Sequence, residues 1–90
     1  MGGGIIVEFL EKIINAKLNG ISGKELQKFA FQFNIDVTLE QAELVSRYLK
    51  GKNIDVFNKT DRENLLKEIS NIAGPETAKK VNQLFSNFVN

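Results

Sequence analysis

Asp36 and Asp55 hold matched places in two copies of one short pattern, Asn34-Ile35-Asp36-Val37 and Asn53-Ile54-Asp55-Val56. Paired carboxylates are the usual equipment for general acid–base work or for holding a divalent cation. An EF-hand loop needs a glycine at its sixth position and a glutamate at its twelfth, along with alternate oxygen ligands, and neither loop supplies them. The two aspartates therefore read as turn or helix-start residues facing water. Among the other acids, Glu25, Glu63 and Glu76 belong to helix starts, and Glu40, Glu43 and Glu68 fall on polar helix faces.

Nucleophilic chemistry fares no better. Ser22, Ser46, Ser70 and Ser86 have no base beside them, and the chain contains neither His nor Cys. That removes the common neutral-pH proton carrier, the thiolate and the best metal ligands. No glycine-rich loop follows a strand, so phosphate cradling of the P-loop or Rossmann kind is not expected. The expectation is a non-enzymatic chain with no cofactor and no metal.

A nucleic-acid reading starts at Gly74. The segment from Asn71 to Val81 looks like the second half of a helix-hairpin-helix motif, in which backbone N–H groups at a helix start meet a phosphate. Lys79 and Lys80 lie close by, and Arg47, Lys50 and Lys52 add a basic cluster further up the chain. Two features oppose it. Ile72 stands where the motif's first glycine belongs, and a β-branched residue resists the left-handed turn. Glu76 puts a negative charge where the phosphate would sit.

A partner surface is suggested by Ile5, Phe9 and Phe31. The first apolar segment, about Ile5 to Leu18, is apolar over more than half of a helix circumference, leaving Glu8, Glu11, Lys12 and Asn15 as its polar strip. So wide an arc belongs to a helix central in the fold or to one shared with a partner; central packing is the expectation. Phe31 points away from Leu26, Phe29 and Phe33, and burial against another element is expected for it ahead of an interface.

The elements that must position these residues announce themselves by helix starts. Ser22 with Glu25, Thr38 with Gln41, and Thr60 with Glu63 each have capping-box spacing, and Gly74-Pro75-Glu76 gives a fourth start. Apolar residues then recur every three or four positions, the period of one helix face. The pattern predicts an all-α fold of about five helices, at 4–18, 22–33, 38–50, 60–73 and 75–88. Gly20 and Gly51 are expected as left-handed caps. A faint repeat relates Ile21–Leu49 to Phe57–Phe85, which suggests two helical hairpins with the N-terminal helix against them. Ile and Val of the two Asn-Ile-Asp-Val stretches should tuck under the helices, and a short strand pairing between them is an option. Residues 1–4 are expected to be an unstructured glycine stretch or a cloning remnant, and 5–90 a single domain whose seven Phe form the bulk of the core.

Composition fits that outline. Ninety residues with 42% apolar content suit one small core, and the net charge of +1 shows no strongly basic face. Residues 1–45 carry four Lys against six acids, and residues 46–90 carry eight Lys or Arg against five. The run Ile5–Val7 is cut by Glu8 and cannot span a bilayer. No membrane partner is expected.

Taken together, Leu26 to Gln32 with Asn34, Gln41-Ala42-Glu43, Gly51-Lys52-Asn53-Ile54 with Phe57-Asn58, and Thr77 to Phe85 resemble the YqfT-like family of small uncharacterised proteins from Bacillus-type bacteria. The resemblance covers most of the chain after the first helix. It implies a cytoplasmic bacterial protein and supplies no activity, substrate or site. The leading reading is a protein–protein interaction module acting through an apolar helical surface, its partner another protein or a second copy in a homodimer. The alternative is weak nucleic-acid binding through Gly74 and the nearby basic residues.

Overall fold

The computed structural model describes the backbone of residues 3–89 and the side chains of residues 8–87. The chain forms five α-helices: α1 (Gly3–Asn19), α2 (Gly23–Gln32), α3 (Leu39–Leu49), α4 (Lys59–Ala73) and α5 (Pro75–Val89). There is no strand among the described residues, so the two Asn-Ile-Asp-Val stretches do not pair as a sheet. α1 begins at Gly3, one residue before the start expected at position 4.

The fold is all-α, built of two helix pairs and an N-terminal helix. α2 packs chiefly on α3 and α4 on α5, and α3 against α4 joins the pairs. The α2–α3 pair runs antiparallel. The Ser46 hydroxyl donates to the Ile21 carbonyl at 2.6 Å, and the Gln27 side chain donates to the Val37 carbonyl at 3.1 Å, so early residues of one helix meet late residues of the other. Between these contacts Gly23 lies against the backbone of Glu43; a Cβ there would stand 3.0 Å from Glu43 Cα. The absent side chain is what lets the two helices approach.

Two of the expected capping boxes form completely, Ser22 with Glu25 and Thr38 with Gln41. The third does not. α4 starts earlier, with Asn58 as its cap accepting from the Asp61 N–H at 3.0 Å, and Thr60 sits inside the helix. Asn is as good an N-cap as Ser and better than Thr, so the earlier residue takes the role. α2 ends in a Schellman motif: Asn34 is left-handed at φ 60°, its N–H donates to the Phe31 carbonyl, and the Ile35 N–H donates to Ala30 at 2.9 Å. Asn53 repeats that left-handed geometry at φ 51°. Gly51 is left-handed as expected, whereas Gly20 is not, because the chain leaves α1 through successive i→i+3 bonds at Gly20 and Ile21.

The core is aliphatic. Ile21, Val45, Leu49, Ile54, Val56, Leu65 and Ile69 form one buried cluster, each such side chain worth about 1.5–3 kcal/mol. Ile54 and Val56 do tuck under the helices, as does Ile35. The Phe residues do not form the bulk of this core. Phe9, Phe29, Phe31 and Phe33 are exposed, Phe57 and Phe85 are half-buried at its edge, and Phe88 lies outside the described side chains. α2 and α3 approach closely at Gly23, the space between the helices is filled by aliphatic side chains, and the rings sit at the rim.

Candidate functional site

α1 is turned the opposite way from an ordinary amphipathic helix. Asn15 and Asn19, one turn apart, face the loop between α3 and α4 and bond to it four times. The Asn15 amide donates to Asp55 Oδ1 at 2.9 Å and accepts the Val56 N–H at 3.0 Å. Asn19 accepts the Ile54 N–H and donates to the Ile54 carbonyl, both at 2.9 Å. The loop itself is braced: the Phe57 N–H donates to Asp55 Oδ1, the Asp55 N–H to Asp61 Oδ2, and the Arg62 guanidinium to the Val56 carbonyl. Asp55 is thus a half-buried strut rather than a water-facing turn residue, while its counterpart Asp36 is exposed.

Docked through Asn15 and Asn19, with Glu8 and Lys12 of the polar strip left in water, α1 presents much of its apolar side outward. Phe9 is 64% exposed, and Leu10, Ile13 and Ile14 are also exposed. Leu18 alone among the described α1 side chains packs on the core cluster. The expected central position of α1 is therefore overturned, since its amides outbid its oily face for the loop backbone. The molecule measures 42 × 24 × 23 Å. Among the described residues α1 touches, of the other helices, only α3, and in its N-terminal half Glu8, Phe9, Leu10 and Lys12 are exposed, so that half of the helix is little covered by the body.

Beside this face lies a groove of about 490 Å³, walled by Ile13 and Ile14 of α1, Phe29 and Phe33 of α2, and Leu84 and Phe85 of α5, with Phe57 at its base. The rings of Phe29 and Phe33 lie 5.1 Å apart. The groove shares Leu18, Phe29, Leu84 and Phe85 with an inner apolar cavity of about 90 Å³ between the helix pairs. Lys17 marks the rim, its ammonium 3.0 Å from the Glu25 carboxylate. That hydrogen bond, then those from Ser22, hold Glu25 below its ordinary carboxylate range.

Of the residues expected on a partner surface, Phe9 belongs to this face. The side chain of Ile5 lies outside the described residues. Phe31 is 76% exposed, against the expectation of burial. It lines a separate hollow with Lys24, Lys28 and Leu39. The groove residues Ile13, Phe29, Phe33 and Leu84 were not singled out by sequence. The signal that could have found them is the Asn15/Asn19 pair, which marks the polar strip of α1 as a docking edge.

The residues of the nucleic-acid reading are dispersed. Gly74 joins α4 to α5, whereas Arg47, Lys50 and Lys52 lie before the start of α4, so its length of about 22 Å separates them. Lys52 is engaged at 4.7 Å over the Tyr48 ring. Lys79 and Lys80 are exposed on α5. Among the described residues there is no group of three or more potential metal ligands, and no helix is long and apolar enough to cross a membrane.

The fold and its surface thus define a small all-helical domain with an N-terminal helix held by amide hydrogen bonds and an apolar groove beside it. The chain belongs to the family described as Protein of unknown function (DUF2624), whose model matches residues 6–89. It is 40% identical over 78 residues to Uncharacterized protein YqfT of Bacillus subtilis (strain 168), a match covering 87% of this chain and 93% of that protein. No solved structure matches.

Proposed function

We propose that this chain is a non-enzymatic, cytoplasmic protein-docking module whose working surface is the outer face of α1 with the adjoining groove. One observation carries the reading: α1 is fastened by its polar side, so that Phe9, Leu10, Ile13 and Ile14 are held outward by specific hydrogen bonds. An ordinary surface helix would have its apolar side turned inward. The exposed rings of Phe29 and Phe33 extend the same surface. Contiguous apolar area of this kind marks an interaction site on small proteins. The groove wall offers hydrophobic contact and no acid or nucleophile, and its single ammonium, Lys17, is paired with Glu25.

The test is site-specific photo-crosslinking in the native cytosol, with a benzophenone side chain placed at Phe33 in the groove or at Lys67 on the exposed side of α4. Discrete protein adducts from position 33 and none from position 67 are expected. Equal, diffuse labelling from both positions would end the docking reading.

A further inference from the structure

Resting on the docking reading, we infer that the groove is filled by a second copy of this chain, the two α1 helices lying antiparallel and each N-terminal arm covering the other copy's groove. The arm, residues 3–12, is continuous with the helix that bears Ile13 and Ile14. A single straight helix cannot fold its own N-terminal half onto a groove that its C-terminal half helps to wall. In a two-fold pair each arm lies along the other's groove, and the arrangement closes on itself as a dimer. A two-fold axis passing between positions 11 and 12 of α1 sets Leu10 of one copy over Ile13 of the other, and Phe9 over Ile14.

The area is sufficient. Phe9, Leu10, Ile13, Ile14, Phe29 and Phe33 are each between 37% and 64% exposed, which leaves about 500 Å² of apolar surface per copy at roughly 200 Å² for a fully exposed side chain of this size. Two copies bury about twice that before the polar rim is included, which reaches the level of roughly 1,000 Å² that separates specific interfaces from casual contacts. Electrostatics do not oppose the pairing: the chain carries a net charge of only +1, so two copies repel weakly.

Sedimentation equilibrium of the full chain from micromolar to millimolar concentration tests this. A dimer is expected, with Ile13→Asp and Phe9→Asp each weakening it by about a hundredfold or more. Phe31→Asp, outside the groove, should leave it unchanged. Phe9 and Phe31 are each more than three-fifths exposed, so helical circular dichroism should survive both substitutions and separate loss of pairing from loss of fold. The chain has no cysteine, so a chain bearing Leu10→Cys mixed with one bearing Ile13→Cys should form a disulfide between copies on oxidation. A wild-type chain that stays monomeric throughout, or a dimer indifferent to both Ile13→Asp and Phe9→Asp, overturns the inference. If the chain is monomeric but position 33 still yields discrete adducts with another protein, only the second-copy assignment falls; if the adducts are absent as well, the docking reading falls with it.

Discussion

The side-chain amide of Asn19 pairs with Ile54 as a neighbouring strand would, accepting its N–H and donating to its carbonyl, both at 2.9 Å. Ile54 is buried, and a buried backbone group without a partner costs about 1–3 kcal/mol. Asn19→Ala should therefore destabilise the domain by about 2–4 kcal/mol, since it strands both groups. Urea denaturation reads the loss, and hydrogen exchange at the Ile54 amide should accelerate with it. Unchanged protection at Ile54 would show that this pairing does not hold the loop.

The two structurally demanding glycines should fail for different reasons. Gly23→Ala drives a methyl into the Glu43 backbone and should cost about 1–3 kcal/mol by overpacking. Gly74 has open space around it but sits at φ 97° and ψ 159°, a region in which L side chains are strained by about 1–3 kcal/mol. Thermal unfolding measures both losses. The distinction lies in structure: Gly23→Ala should perturb the NMR shifts of α3 around Glu43, whereas shifts around Gly74→Ala should stay confined to the α4–α5 joint.

At the start of α4, Asn58→Ala should cost about 1 kcal/mol as the loss of an N-cap. Thr60→Ala, within the helix, should be neutral or slightly stabilising, because Ala is the better helix former. Chemical denaturation of the two variants should give that order, and the reverse order would restore Thr60 as the cap.

Glu25 supplies a pH dependence. Its carboxyl is held below the ordinary value of 4.5 by hydrogen bonds from Lys17 and Ser22, so its contribution is fully present above that value and is lost as pH falls through the lowered one. The difference in Tm between the wild type and Glu25→Gln should be greatest at neutral pH and shrink on acidification. Because Lys17 and Glu25 are both well exposed, added salt should narrow the difference as well.

Much of the fold was legible in the sequence because it is written in local chemistry. Ser22 and Thr38 start helices by bonds that span three residues, and the apolar period of α2 to α5 survives into the structure. Thr60 misled because Asn58, two residues earlier, is an equally local and better cap. The orientation of α1 was not legible. Its wide apolar arc suggests a central helix, and what reverses it is Asn15 and Asn19 bonding to a loop 35 to 41 residues away. No periodicity encodes such a contact. Phe31 was misjudged for a related reason: whether an off-stripe ring finds cover depends on which element passes over it, and none does.

The fastening of α1 through amides also divides labour along one helix. Asn15, Leu18 and Asn19 secure the architecture, and Phe9, Leu10 and Ile13 contribute little to it. Substitutions on the outer positions can therefore accumulate without unfolding the molecule. Relatives with the same skeleton are free to diverge there, and on the docking reading proposed above the outward half-turns of this helix are where differences in partner should be sought.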